Sequence, residues 1–338
     1  MEFALSSEQA ELAATVRTLL ERRSDPAAVR TASESEAGYD ESLWRTLCDQ
    51  VGVAALAVPE EHDGIGAGFF ETAVVLEELG RALTPAPLLA TTRAIEALLA
   101  GADDATRARL LPRLAAGEVG TVVGVGGLGA IAGDLALDAD RASVVLAVRG
   151  GDLVELHDSH VDVVATMDQT LRIGRVEARS AVVVGDGVAA AHRLDLVTSA
   201  AVAALAVGLC ERGLRMSVEH TSNRVQFGRP IGSFQALKHR MADMLARTEM
   251  ARSASWAASY ALGDPTALPD SDATEFAVRS AAAYAIEAAE HVAAETVQLH
   301  GGIAITWEHD AHLVLKRAHA LGQLFGAPHV HRAALALP

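Results

Sequence analysis

The chain has 338 residues, a formal net charge of −16 and two cysteines, a length that suits two or three domains. The acidic balance argues against nonspecific nucleic-acid partners and against anionic membranes. Cys48 and Cys210 lie in apolar helical patterns and make neither a disulfide framework nor a metal motif, which points to a reducing cytoplasmic location. Half the residues are hydrophobic but only 4% are aromatic, so the apolar content is largely Ala, Leu and Val, suited to close-packed helices.

The first residues read as a capped helix start rather than a signal peptide. Ser6 and Gln9 form a capping box, and Leu12, Val16, Leu19 and Leu20 give an apolar face. Residues 24–38 read as a polar, mobile stretch. Asp40 and Glu41 lead into a helix carrying Leu43, Trp44, Leu47 and Val51, followed by a loop over residues 53–68. A helix over residues 69–81 is broken by Pro85 and Pro87, and two further helical patterns run to Leu114. Residues 1–118 thus read as an all-helical domain. Short β-branched runs at residues 122–123, 144–148, 153–156, 161–164 and 181–184 predict a small antiparallel β domain over residues 119–190. Four helical patterns follow, over residues 195–221, 234–262, 272–300 and 307–321, with a Gly/Pro-rich loop between the middle two. They predict a helical bundle over residues 191–338. The most apolar run, Leu196 to Cys210, is interrupted by Thr198 and Ser199 and is too short to span a bilayer. The fold class read from these patterns is α+β, mostly α.

The chemistry concentrates in residues 223–244, NRVQFGRPIGSFQALKHRMADM. A turn-rich patch (Gly228, Pro230, Gly232, Ser233) gives way to apolar residues at helical spacing: Phe234, Leu237, Met241, Met244 and Leu245. Ser233 is the expected N-cap. Arg224 and Arg229 beside a helix N-terminus suit a pyrophosphate; the plainer reading is a basic loop capping a helix. Gly124, Gly126, Gly127 and Gly129 match G-x-G-x-x-G, but Asp138 to Arg141 follow too closely for the crossover helix of a nucleotide-binding βαβ unit. His309 and His312 lie three apart, near His300, Glu308 and Asp310. That spacing can serve zinc, yet a site needs three or four converging ligands, and no metal is expected.

The string R-x-Q-F-G-R-x-I-G-x-F-Q ending in A-D-M resembles the signature of the acyl-CoA dehydrogenase family. Gln298-Leu-His-Gly301-Gly302-Ile-Ala-Ile-Thr306-Trp307-Glu308 resembles that family's Q-x-x-G-G-x-G-x-T-x-E stretch, with Ala304 in place of a glycine. Residues 53–68 resemble its L-x-x-P-E-x-x-G-G-x-G turn, with Ile65 replacing one glycine, and Leu111-Pro112 with Gly117-Glu118 its L-P-x-x-x-x-G-E boundary. The resemblance implies an N-terminal helical domain, a middle β domain and a C-terminal four-helix bundle. It also implies FAD. Arg224, Gln226, Phe227, Gln235, Gln298, Gly301 and Gly302 are expected to hold the ADP half of a cofactor seated in the neighbouring subunit.

The resemblance fails where the reaction occurs. The family needs a carboxylate to remove the α-proton of an acyl-CoA while hydride leaves the β-carbon. Its two base positions correspond to Phe325 and to Thr198, which precedes Ser199; neither side chain is a base. Glu211, Glu308 and Asp195 are the nearest carboxylates in sequence and match neither position. The flavin-facing T-E-P-x-x-G-S-D and W-x-T stretches have no counterpart between Val119 and Val188. Together with the T-W-E-H-D-x-H-x-x-L-K-R-A string at residues 306–318, this resembles the short subunit of heterotetrameric steroid side-chain acyl-CoA dehydrogenases of actinobacteria. The implied assembly is an α2β2 heterotetramer with FAD shared across the unlike interface. A homologous full-length partner would supply the base and bind most of the substrate. Two other readings are a homomeric dehydrogenase with a relocated base such as Glu211 or Glu308, and a non-enzymatic scaffold of the same fold.

Overall fold

The computed structural model describes residues 4–123, 133–263 and 271–335. The G-x-G-x-x-G run and most of the loop expected before residue 271 lie outside the described residues. Six helices come first: α1 (Ser7–Arg23), α2 (Pro26–Glu34), α3 (Glu41–Thr46), α4 (Phe69–Ala82), α5 (Leu88–Gly101) and α6 (Asp104–Ala115). The capping box at Ser6 and Gln9 forms as expected. Helix α2 corrects the reading of residues 24–38 as mobile. Asp25 accepts from the Ala28 amide at 2.8 Å, Pro26 occupies the first helical turn, and Val29 and Ala32 are buried. An N-cap carboxylate and a proline with preset φ suffice to start a short helix.

The sheet contains β1 (Gly120–Val123), β2 (Leu135–Leu137), β3 (Val144–Arg149), β4 (Asp152–Val164) and β5 (Ile173–Asp186), in the order β1-β3-β4-β5-β2. It is mixed rather than antiparallel, because β1 pairs with β3 in parallel. The reason is topological: after β1 the chain places β2 on the far edge against β5, then returns to lay β3 beside β1. The runs at 153–156 and 161–164 belong to one long strand, β4, which pairs along most of its length with β5.

Helix α7 (Gly187–Asn223) starts earlier than its apolar pattern, because Asp186 caps it by accepting from the Val188 and Ala189 amides. It is long and apolar enough to cross a membrane, unlike the short run read from sequence, but its most apolar stretch is 89% buried inside the protein. A helix apolar on all sides belongs in a core, and α7 is the axis of this one. It crosses α4 in direct backbone contact. A Cβ on Gly208 would lie 1.9 Å from the Glu77 carbonyl oxygen, and one on Gly80 would lie 2.3 Å from that of Leu205. Only glycine permits such an approach.

After α7 come the two short strands β6 (Val225–Gln226) and β7 (Arg229–Pro230), then α8 (Gln235–Gly263), α9 (Asp272–His300), α10 (Ala311–Phe325) and α11 (Pro328–Ala334). One continuous core joins Val16, Leu76, Val202, Ile286 and Phe325 with Leu137 and Ile173 of the sheet. The helical layer, the sheet and the bundle therefore meet along α7.

Candidate nucleotide site and the expected base positions

The segment after α7 is a prong rather than a loop wrapped around a helix end. Val225 pairs with Pro230 and Gln226 with Arg229, so Phe227 and Gly228 form a two-residue hairpin turn. Both have positive φ, 51° and 76°, the signature of a type I′ turn. Phenylalanine is uncommon in that conformation, yet Phe227 stands there 90% exposed. Its ring meets Phe234 edge-on with centroids 6.1 Å apart, and the Arg229 guanidinium lies 4.1 Å over Phe234. Ser233 does not cap α8. It ends a 3-10 turn, and its hydroxyl donates to the Pro230 carbonyl at 2.7 Å. Arg229 is thereby spent on Phe234, whereas Arg224 makes no side-chain hydrogen bond among the described residues. Gln226 donates to the Val225 carbonyl, and the Gln235 amide contacts His239 at 2.8 Å.

The second motif lies where α9 ends. Gly301 has φ +67°, and a Cβ on Gly301 or Gly302 would meet no atom within 4 Å. No packing within the chain requires a glycine at 302, so its backbone is open to close approach from outside. Gln298 is exposed on the last turn of α9.

The fold brings the two motifs together through three imidazoles. His220 on α7 and His300 on α9 have ring centroids 4.3 Å apart, and His300 and His309 lie 4.6 Å apart. The His300 Nδ1 donates to the Thr296 carbonyl at 2.7 Å. Beside them a cleft of about 550 Å³ is lined by Arg212, Arg215, Arg224, His220, His300 and His309, with Glu219 and Asp310. Asp310 is already held by Arg30 at 2.7 Å and Arg212 at 3.9 Å, so the cleft is basic within an acidic chain. Burial holds His220 and His300 below the ordinary histidine value, and the neighbouring histidines add to the shift. Burial also lowers Arg212, whose Nε has no hydrogen-bond partner. Sequence reading missed Arg212, Arg215 and His220, although their spacing with Arg224 follows one face of a helix.

The histidine spacing carries no metal set. Helix α10 begins at Ala311 rather than Trp307, because a 3-10 turn takes residues 301–305. His309 therefore stacks on His300 while His312 turns to Trp307, at 4.9 Å. Among the described residues no three His, Cys, Asp or Glu side chains converge on a metal position.

Both positions at which the sequence resemblance expects a base are sealed. Thr198 and Phe325 are 1% and 0% exposed. Two of the three nearby carboxylates are engaged: Glu211 with Arg252 at 2.8 Å and Asp195 with Arg279; Glu308 is exposed. Between the helical layer, the sheet and α7 lies a cleft of only about 30 Å³, bordered by Leu76, Leu79, Leu89, Leu205, Asp138 and Arg317, room for about one water. The Arg317 guanidinium fills this junction, donating to Asp168 at 2.6 Å and to the Thr170 carbonyl at 2.8 Å. Asp138, which the sequence did not single out, has a carboxyl pushed up to about 7 by burial and by Asp140, against Arg172 and Arg317.

The family models for the acyl-CoA dehydrogenase N-terminal and C-terminal domains match residues 6–118 and 185–337. Acyl-CoA dehydrogenase IpdE2 of Mycobacterium tuberculosis is 45% identical over 95% of this chain and 94% of its own length. Among solved structures, a chain of the ChsE4-ChsE5 complex from the same organism superimposes with a TM-score of 0.86 at 25% identity, covering all of both chains. A chain of the Tcur3481-Tcur3483 steroid ACAD gives a TM-score of 0.85 at 25% identity, covering 97% of this chain and 96% of that one.

Proposed function

The chain belongs to the acyl-CoA dehydrogenase family, and from that premise we propose that it is the base-lacking subunit of a heteromeric, FAD-dependent enzyme that introduces an α,β double bond into a steroid side-chain CoA thioester. The observation that carries this reading is an asymmetry. The nucleotide-side residues are open, and among the described residues Arg224 and Gln298 make no side-chain hydrogen bond, whereas the junction of the three layers is closed by Arg317 and Asp168.

The donor set fits the ADP half of FAD. Arg224 can fork onto a diphosphate, Gln298 offers an amide, and the bare Gly302 admits close backbone approach. Phe227, held out on a turn that suits it poorly, offers an aromatic face; Gln226, Gln235 and Gly301 flank these contacts. When bound, FAD would accept the hydride from the substrate β-carbon. The chain's own residues bind and orient; the α-proton is left to a carboxylate of the partner, because Thr198 and Phe325 cannot take it. The two-component ChsE4-ChsE5 and Tcur3481-Tcur3483 assemblies support a second, unlike subunit; that this partner has the same fold and pairs in an α2β2 arrangement is part of the proposal. A homomeric enzyme with Glu211 as base is disfavoured by the ion pair that holds Glu211 to Arg252.

Flavin per chain tests the proposal, measured on the chain alone and after co-expression with a neighbouring acyl-CoA dehydrogenase-like gene product. The expected outcome is a colourless chain and a yellow complex with one FAD per pair of unlike chains. A yellow single chain with one FAD per protomer would overturn it.

A further inference from the structure

The four buried arginines among the described residues are Arg81, Arg93, Arg279 and Arg317. Three of them hold a carboxylate: Arg81 donates to Glu78 at 2.8 Å, Arg317 to Asp168 at 2.6 Å, and Arg279 to Asp195. Arg93, the most deeply buried at 1% exposure, hydrogen-bonds to no described carboxylate, although the chain has 44 acidic residues. We propose that the Arg93 guanidinium and the Thr198 hydroxyl form a binding site for one small monovalent anion, chloride in solution, in the seam between α5 and α7.

Three observations carry this. The first is unmet donor capacity. A guanidinium has five N–H groups, yet among the described residues Arg93 makes one hydrogen bond, from Nε to the Thr198 hydroxyl at 3.1 Å. Its Nη1 is buried without a partner. Nearly all buried polar atoms are satisfied in folded proteins, by the chain itself or by a bound water or ion. The second is charge. Burial lowers the guanidinium only to about 10, with no neighbouring charged side chain contributing, so it remains a cation at neutral pH. Water meets the donors but leaves the charge uncompensated; an anion meets both needs. The third is the hydroxyl. Thr198 accepts from Arg93 and donates to no acceptor among the described residues, so its proton can turn to the same ligand.

Enclosure sets the size. Both side chains are sealed from solvent, and neither lines the two clefts described above. An organic carboxylate has no room there, whereas a monatomic anion needs little more space than one water. Bound there, it ties α5 to α7 as Asp195 ties α7 to α9 through Arg279.

The test is a chloride titration of the stability of the full chain in urea denaturation, with gluconate holding the ionic strength constant. A ligand that binds only the folded state lowers the unfolding equilibrium constant in proportion to its concentration once the site is filled, so tenfold more chloride should lower it about tenfold. Arg93→Met should abolish this dependence, because the site loses its charge. Should that variant fail to fold, Thr198→Glu provides the second measurement. Its carboxylate brings a negative charge to the guanidinium, so its stability should be indifferent to chloride. Crystals grown in bromide should show an anomalous peak against the Arg93 guanidinium. Equal stability in chloride and gluconate, an unchanged chloride dependence in Thr198→Glu, or a water rather than bromide at Arg93 overturns the proposal.

Discussion

The guanidinium of Arg93 on α5 donates through Nε to the hydroxyl of Thr198 on α7, at 3.1 Å, with both side chains sealed from solvent. No described carboxylate hydrogen-bonds to Arg93, its Nη1 has no partner, and burial lowers it to about 10. A buried cation without a counter-ion is costly. Here it faces Thr198, one of the two positions at which the sequence resemblance expects a base.

Thr198→Glu should therefore not make the isolated chain a dehydrogenase. The new carboxylate would pair with Arg93, which favours its ionised form and weakens it as a proton acceptor. Acyl-CoA oxidation is assayed with an artificial electron acceptor, and turnover by the variant alone would refute this account.

Arg224→Ala should reduce flavin retention in the complex by the equivalent of about 1.5–3 kcal/mol, the usual range for a hydrogen bond to a charged group. The side chain is exposed, so the melting temperature of the chain should hold. Equal FAD content after gel filtration would remove Arg224 from the site.

Phe227→Asn separates the turn from the ring. Asparagine tolerates positive φ, so the hairpin should persist and the isolated chain should melt no lower. Association with the partner or with flavin should weaken by about 1–2 kcal/mol, as for an exposed aromatic anchor. Unaltered complex affinity would show that Phe227 touches neither.

Arg317→Met leaves the Asp168 carboxylate buried without its partner. Chemical denaturation should show a loss of about 3–5 kcal/mol. The double variant Arg317→Met/Asp168→Leu should regain much of it, because replacing both ions by apolar groups removes the orphan charge. A double variant as unstable as the single would place the loss in packing rather than charge.

Asp138 gives the chain a pH dependence of definite sign. Its carboxyl ionises near 3.8 in the unfolded chain and near 7 in the fold, so the folded state holds the proton more tightly. Its contribution to stability is full below about 3.8 and is lost as pH rises through about 7. Asp138→Asn removes this slope. Relative to wild type, the variant should gain on the order of 2 kcal/mol between pH 5 and pH 8 in urea denaturation. A difference that does not change with pH would mean that Asp138 is ionised throughout.

Much of the architecture was legible in local patterns. The capping box at Ser6 and Gln9 and the whole of α9, Asp272 to His300, follow from caps and 3.6-residue periodicity, which act within a few residues. Two motifs, one ending in Phe234-Gln235 and one beginning at Gln298, pointed to the family; the reading of positions 198 and 325 as lacking a base rests on the sequence resemblance and belongs to the proposal. Helix α2 was missed because its Asp25-Pro26 start was read only as polar.

Tertiary structure decided the rest. The parallel pairing of β1 with β3 depends on where β2 goes, which strand composition does not encode. The prong that holds Phe227 in solvent follows from a backbone turn, not from hydrophobicity. His220 and His300 become neighbours only because α7 packs against α9, and Arg317 closes the junction only because α10 reaches Asp168. Helical period and caps are short-range properties of the chain; the meeting of side chains from separate elements is set by how those elements pack, and the candidate site is built from such meetings.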